Sequence, residues 1–258
     1  MKRTEPREDR TVDLSRGRTA RMLRGGFRLL VSLPRNDPEM AQAALDAGAD
    51  GLKVHIGLEH FASGLSTGSL DEEQAALREI CALGAPVGIV PGVGEGLATR
   101  EEMLRLAEIG IDFFDLYATD MPAWMLRMDD CPLSVMVAFS ATCRPWGLVE
   151  SVAERSRPKM IEASVAPHEA YGGPLTAADV SEYATIAARA EQPVIVPTQK
   201  AIRPEEVAVL RDCGVAGILI GAIVTGAETA ALAEATSRFR AAVDATAEDR
   251  RTRHGRRS

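Results

Sequence analysis

Three short apolar runs carry polar side chains at every second position, and those side chains are of kinds that move protons. In Gly51-Leu52-Lys53-Val54-His55-Ile56, Lys53 and His55 alternate with Leu52, Val54 and Ile56. Residues 112–117 place Asp115 and Tyr117 together, and residues 159–165 set Glu162 and Ser164 against Ile161, Ala163 and Val165. A period of two puts each polar set on one face of a strand. Proton transfer next to a carbonyl needs a base, an acid and a polarising cation. Glu162, His55 and Lys53 fit those roles in that order, with Asp115 as a second carboxylate beside the lysine; Lys53 also suits a Schiff-base amine. The same residues admit a structural reading, because burying a charge unpaired costs roughly several kcal/mol. In that reading Lys53 forms an ion pair with Asp115 or Glu162, and His55 is simply hydrogen-bonded.

The elements around these runs are regular. Strands are expected over residues 27–33, 51–56, 86–90, 112–117, 133–139, 159–165, 193–197 and 217–220, each fed by an amphipathic helical stretch. Asn36-Asp37-Pro38 starts one helix, and Ser69-Leu70-Asp71-Glu72 and Thr99-Arg100-Glu101-Glu102 are capping boxes. Gly48, Gly84, Gly110 and Gly214 stop helices. Repeated β-α units predict an α/β fold, an eight-stranded parallel (β/α)8 TIM barrel, in which helices cover the apolar strand faces and the polar faces meet inside. The runner-up, an open doubly wound sheet, needs a topological switch point and usually fewer units.

Loops at the strand ends add candidates. His55-Ile56-Gly57-Leu58-Glu59-His60 brings two histidines and a glutamate close in sequence, as a metal site or as a polar loop over the substrate. Pro167-His168-Glu169-Ala170-Tyr171-Gly172-Gly173-Pro174 offers His168, Glu169 and Tyr171 as substrate contacts, or is a plain exposed turn. Gly92-Val93-Gly94-Glu95-Gly96 is glycine-rich but lacks dinucleotide-fingerprint spacing. After the last strand, Gly221, Ala222 and Ile223 form a candidate anion cradle of backbone N–H groups opening a short helix. Its alternative is tight strand-to-helix packing. Gln199 is a further substrate contact, and Lys200 or Arg203 could bring positive charge to the anion.

The stretch from Pro193-Val194-Ile195-Val196 to Gly221-Ala222-Ile223-Val224-Thr225-Gly226 resembles the last two units of ribulose-phosphate-binding barrels. These include N-acetylmannosamine-6-phosphate 2-epimerases, thiamine-phosphate synthases and the indole-glycerol- and histidine-pathway barrels. Ala47-Gly48-Ala49-Asp50-Gly51-Leu52-Lys53 and Gly110-Ile111-Asp112-Phe113-Phe114-Asp115 are similar to the epimerase layout. The resemblance implies a phosphate held by the loops after the seventh and eighth strands. The customary Gly-Gly pair after the seventh is replaced here by Thr198-Gln199-Lys200. The epimerases' catalytic lysine and glutamate, at the ends of the third and seventh strands, are replaced by Pro91-Gly92 and Thr198-Gln199, so epimerase activity is not transferred.

Composition sets the outer limits. At 258 residues with 46% hydrophobic content, the chain matches the size of one barrel domain over residues 25–248. Residues 1–24 hold eight Lys and Arg against four acids, and residues 249–258 five against one. Both read as basic flexible arms on a body of net charge −15, given −7 overall. The acidic body and the lack of interleaved aromatics argue against nucleic acid, and no apolar run reaches the roughly 18 residues that span a membrane. Cys81, Cys131, Cys143 and Cys213 have no metal or disulfide spacing, which with the absence of a signal region points to the cytoplasm. The expectation is an enzyme on a small phosphorylated, carbohydrate-derived metabolite, by isomerase, epimerase or aldol/lyase chemistry without metal or cofactor, in a chain that can form a homodimer. The alternatives are a non-catalytic barrel binding a phosphorylated ligand and a metal-assisted hydrolase or lyase using His55, Glu59, His60 and Glu162.

Overall fold

Eight parallel strands close on themselves, in the order β1 (Arg28–Ser32), β2 (Gly51–His55), β5 (Val87–Val90), β6 (Phe113–Tyr117), β7 (Ser134–Ala138), β8 (Met160–Glu162), β9 (Val194–Pro197) and β10 (Gly217–Ile220). The structure is a computed structural model that describes residues 17–60, 62–144, 147, 151 and 159–255, without the side chains of residue 60 and residues 247–255. Each of the eight falls inside a stretch expected to be a strand. The fold is therefore a (β/α)8 TIM barrel. Between β2 and β5 the chain adds a hairpin, β3 (Glu59–His60) with β4 (Leu65–Ser66), where only a long loop was expected.

The helices whose bounds fall among the described residues are α1 (Arg18–Leu23), α2 (Pro38–Asp46), α3 (Leu70–Ala82), α4 (Arg100–Ile109), α5 (Ala177–Arg189), α6 (Val207–Asp212), α7 (Ala222–Thr225) and α8 (Thr229–Gly255). Their starts follow the capping chemistry. The Asp37 carboxylate accepts the Glu39 and Met40 N–H groups, and Thr99 and Thr176 cap α4 and α5 in reciprocal boxes with Glu102 and Asp179. No helix among the described residues is long and apolar enough to cross a membrane.

Alternation divides the strand side chains between two cores. Outward residues such as Leu29, Val54, Ile89, Phe114 and Val196 join the large cluster under the helices. Inward residues Leu30, Phe113, Met136, Met160, Ile195 and Leu219 form a separate apolar floor, completed from below by Met22 of α1. The segment expected as a flexible arm over residues 1–24 is thus, from Arg18, a helix that closes the barrel. Arg18 is held there by Asp112 Oδ1, 2.9 Å from its Nε, and by the Gly110 carbonyl. At the other end α8 runs to Gly255, into the stretch expected as a tail, and carries an Arg240–Asp244 pair one turn apart.

The floor constrains its neighbours. A Cβ added at Gly88 would lie 2.1 Å from Phe113 Cε2, so the ring occupies the space a side chain would need. Gly88→Ala should cost about 1–3 kcal/mol through overpacking. Denaturant unfolding measures this, and Phe113→Leu in the Gly88→Ala background should recover part of the loss. A Gly88→Ala protein as stable as the parent would show that the floor is loosely filled.

Candidate active site

Above the apolar floor the inward side chains turn polar and enclose a cavity of about 320 Å³. Its walls are the C-terminal ends of the strands, through Ser32, His55, Tyr117, Ser164, Thr198 and Gly221, with Lys53, Asp115 and Glu162 deeper. The change comes at a fixed height because the register of the closed sheet lifts successive inward residues as a layer.

Lys53 occupies the centre of that layer. Its Nζ donates to Asp115 Oδ2 and to Glu162 Oε2, each at 2.7 Å, and all three side chains are less than a tenth exposed. Ser164 Oγ donates to the other Glu162 oxygen at 2.5 Å. Asp115 Oδ1 is buried and has no hydrogen-bond partner among the described residues.

The three groups divide one charge balance. Burial alone would lower the pKa of the Lys53 ammonium, but the charges of Asp115 and Glu162 outweigh it and the net shift is upward. Asp115 is pushed up to about 8, first by burial and then by the charge of Glu162, with Lys53 opposing. Burial would also raise Glu162, yet the charge of Lys53 and the hydrogen bonds it accepts hold it below the ordinary carboxylate range. At neutral pH the cluster is therefore ammonium, carboxylate and carboxylic acid, with no net charge. An ammonium so held has no lone pair to attack a carbonyl.

A second polar group forms one wall. Gln199 Oε1 accepts the Ala166 N–H at 3.0 Å, and its Nε2 donates to Tyr171 Oη at 2.6 Å. Tyr117 Oη lies 3.5 Å from Tyr171 Oη, and burial, followed by Tyr171 and Glu162, raises the Tyr117 pKa. Gly172 N–H donates to the Gln199 carbonyl and Ala201 N–H to the Gly173 carbonyl, both at 2.9 Å. The loop after β8 is thereby zipped to the segment after β9. It stands as a braced wall.

His55 shares the inward face of β2 with Lys53, and its Nε2 lies 3.4 Å from Ser32 Oγ. Asn36, expected beside a helix cap, instead grips the end of β2, donating from Nδ2 to the His55 carbonyl at 2.6 Å and accepting from its N–H. The β3–β4 hairpin overhangs the mouth through Leu58, Glu59 and Ala62. Its position is fixed by the loop after β5, because a Cβ at Gly57 would lie 2.5 Å from the Gly96 carbonyl oxygen, and a Cβ at Gly92 (φ +88°) 1.9 Å from the same atom. Gly96 thus serves contact with the loop at Gly57, and Gly92 the tight closure of its own loop.

The structure brings together Lys53, His55, Asp115, Glu162, His168, Tyr171, Gln199, Gly221, Ala222 and Ile223 on one cavity. Glu169 is exposed and Lys200 is turned away from it, neither lining the cavity, with Lys200 Nζ 3.7 Å from the Asp179 carboxylate that caps α5. In the cradle, the Gly221 N–H is already taken by Thr198 Oγ1 at 2.9 Å. The Ala222 and Ile223 N–H groups, opening α7, have no acceptor among the described residues. No group of three His, Cys, Asp or Glu among the described residues is arranged to hold a metal. The metal reading also named His60, whose side chain is not described. Ser32 and Asp120 also line the cavity, and neither stood out in the sequence. For Ser32 the signal was a hydroxyl in phase with inward Leu30, at the C-terminal end of β1.

No family model matches the chain, and no curated protein matches it in sequence. Several solved structures share its fold over most of their length. Thiamine phosphate pyrophosphorylase from Pyrococcus furiosus superposes with a TM-score of 0.60 at 18% identity, covering 85% of this chain and 96% of its own. Tryptophan synthase from M. tuberculosis, in an aminoacrylate-bound form, gives 0.64 at 14% identity, covering 88% and 100%. A native KDPGal structure gives 0.61 at 16% identity, covering 85% and 96%. At these identities the likeness is one of fold.

The charge balance makes Lys53 the member the fold depends on most. Asp115 contributes stability that is complete below its ordinary value of 3.8 and is lost as pH rises to about 8. Glu162 contributes in the opposite sense, above its ordinary 4.5 and lost as pH falls. Lys53→Met leaves two buried carboxyl groups without a cation and should cost about 3–5 kcal/mol at neutral pH. Thermal melts should show a larger deficit at about pH 9 than at about pH 5, since both acids must stay protonated in the variant. A deficit independent of pH would contradict this balance.

Proposed function

We propose that this chain is an enzyme that moves protons next to the carbonyl of a small phosphorylated, carbohydrate-derived metabolite, as an isomerase, epimerase or lyase. The observation that carries the reading is the Lys53 ammonium held at 2.7 Å from each of two carboxyl groups in the wall of an open cavity. A fixed ammonium facing a ligand carbonyl stabilises the negative charge that grows on its oxygen when the adjacent carbon loses a proton. Asp115 and His55 are the nearby groups able to exchange that proton, with Glu162 holding Lys53 beside them. Because Lys53 stays protonated, the chemistry is electrostatic polarisation; an imine route would need a free amine.

The phosphate is assigned to the Ala222 and Ile223 N–H groups, beside Gly221. Gly221 has φ −140°, and a Cβ there would make only an ordinary 3.5 Å contact with Ser32, so neither backbone conformation nor packing demands glycine. A bare wall that lets a ligand approach the backbone is the reason that remains. Lys200 is engaged with Asp179, so the grip is one of backbone dipoles. The four cysteines are free, in keeping with a reducing compartment such as the cytoplasm.

Three outcomes are expected. Ala222→Pro removes one cradle N–H at a first-turn position that tolerates proline, and should weaken inorganic phosphate binding by about tenfold or more while the melting temperature holds. Calorimetry reads this, and unchanged affinity would remove the cradle. Glu162→Gln should lower deuterium exchange from solvent into phosphorylated aldoses and ketoses by orders of magnitude with only a modest stability change, because Asp115 can ionise to balance Lys53. Borohydride added with the same compounds should leave Lys53 unmodified; a stable adduct there would favour imine chemistry.

A further inference from the structure

Two carboxyl groups touch Lys53, but their remaining oxygens are not equivalent. Both Glu162 oxygens are occupied, Oε2 by Lys53 and Oε1 by Ser164. A carboxylate with a donor on each oxygen is stabilised as an anion and takes a proton less readily than one with a bare oxygen. The Asp115 carboxyl also meets that of Glu162, but with Oδ2 on Lys53 its Oδ1 is buried in a residue that lines the cavity and accepts from no donor among the described residues. A buried carboxyl oxygen left bare normally costs free energy, and a ligand is what would satisfy it.

We propose that Asp115 is the group that holds the exchangeable proton of the cavity and gives it from Oδ1 to a ligand's carbonyl oxygen, while Glu162, fixed by Ser164, is a positioning anion that keeps Lys53 in place. This deepens the functional reading above and rests on it. Lys53 donates to Oδ2, which leaves Oδ1 to carry the proton. In the forward step the Asp115 O–H bond breaks and an O–H bond forms on the ligand's former carbonyl oxygen. The adjacent C–H pair becomes the C=C bond, and its proton passes to His55 on the neighbouring part of the same wall. Asp115 is left ionised, and the positive charge that His55 has gained balances it, Lys53 balancing Glu162. The raised pKa of Asp115 and the lowered one of Glu162 agree in direction with this division.

The test needs no substrate. Protein labelled with carbon-13 at the aspartate and glutamate side-chain carboxyls is titrated by NMR, with Asp115→Asn and Glu162→Gln identifying the two signals. Asp115 should titrate with a midpoint near 8. Glu162 should stay ionised throughout the range in which Asp115 titrates. Ser164→Ala should release Glu162 toward protonation and move the Asp115 midpoint downward, a shift that a merely structural hydroxyl would not produce. An Asp115 signal ionised at neutral pH, or a proton on Glu162 instead, would overturn the assignment. Inorganic phosphate titrated into Asp115→Asn separates the two readings: retained binding with an untitrating Asp115 in the parent leaves the phosphate site and removes the proton assignment. Lost phosphate binding in the parent with the expected Asp115 titration removes the phosphorylated ligand and leaves the proton assignment.

Discussion

One ammonium cannot neutralise two carboxylates, and where all three are buried this imbalance sets the state of everything around it. Lys53, Asp115 and Glu162 reach neutrality by keeping one proton, which falls on Asp115 because Glu162 has two donors and Asp115 one. The cluster therefore tolerates the loss of either carboxyl group better than the loss of the lysine. With one acid gone a balanced ion pair remains, whereas without the cation two acids compete for a site in which neither ionises freely. A proton stored in this way at neutral pH, next to a fixed positive charge, is also a reagent.

Everything beneath the cluster keeps that reagent dry from below. The floor of Leu30, Phe113, Met136, Met160, Ile195 and Leu219 lies under the polar layer, with Met22 packed against it. The walls are braced by hydrogen bonds that run between neighbouring units: Asn36 onto the end of β2, Gln199 onto Ala166 and Tyr171, and Thr198 onto Gly221. These contacts fix the strand ends to one another, so the distances around Lys53 are held by the barrel as a whole.

Much of this was legible in the residues themselves. Lys53, Asp115 and Glu162 interrupt apolar runs with a period of two, and a parallel strand covered by helices has only one place to put such a face. The glycine and capping signals placed the helix starts because they act within a single turn. What the sequence concealed depends on tertiary contact. Met22 looks like part of a basic arm until Asp112 supplies a partner for Arg18 and the barrel floor a seat for the thioether. Lys200 follows a strand as a phosphate ligand would, yet Asp179, distant in sequence, draws it away. The hairpin of β3 and β4 is only two residues per strand, too short for any periodicity to show. Nor does sequence spacing tell which carboxyl oxygen Ser164 will reach, the contact that separates the two acids.

Neutron diffraction from a deuterated crystal near neutral pH tests the central claim most directly, since it locates the protons on the cluster itself. The account predicts three deuterons on Lys53 Nζ, one on Asp115 Oδ1 and none on Glu162. A neutral Lys53 amine, or a deuteron on Glu162 with Asp115 bare, would contradict it.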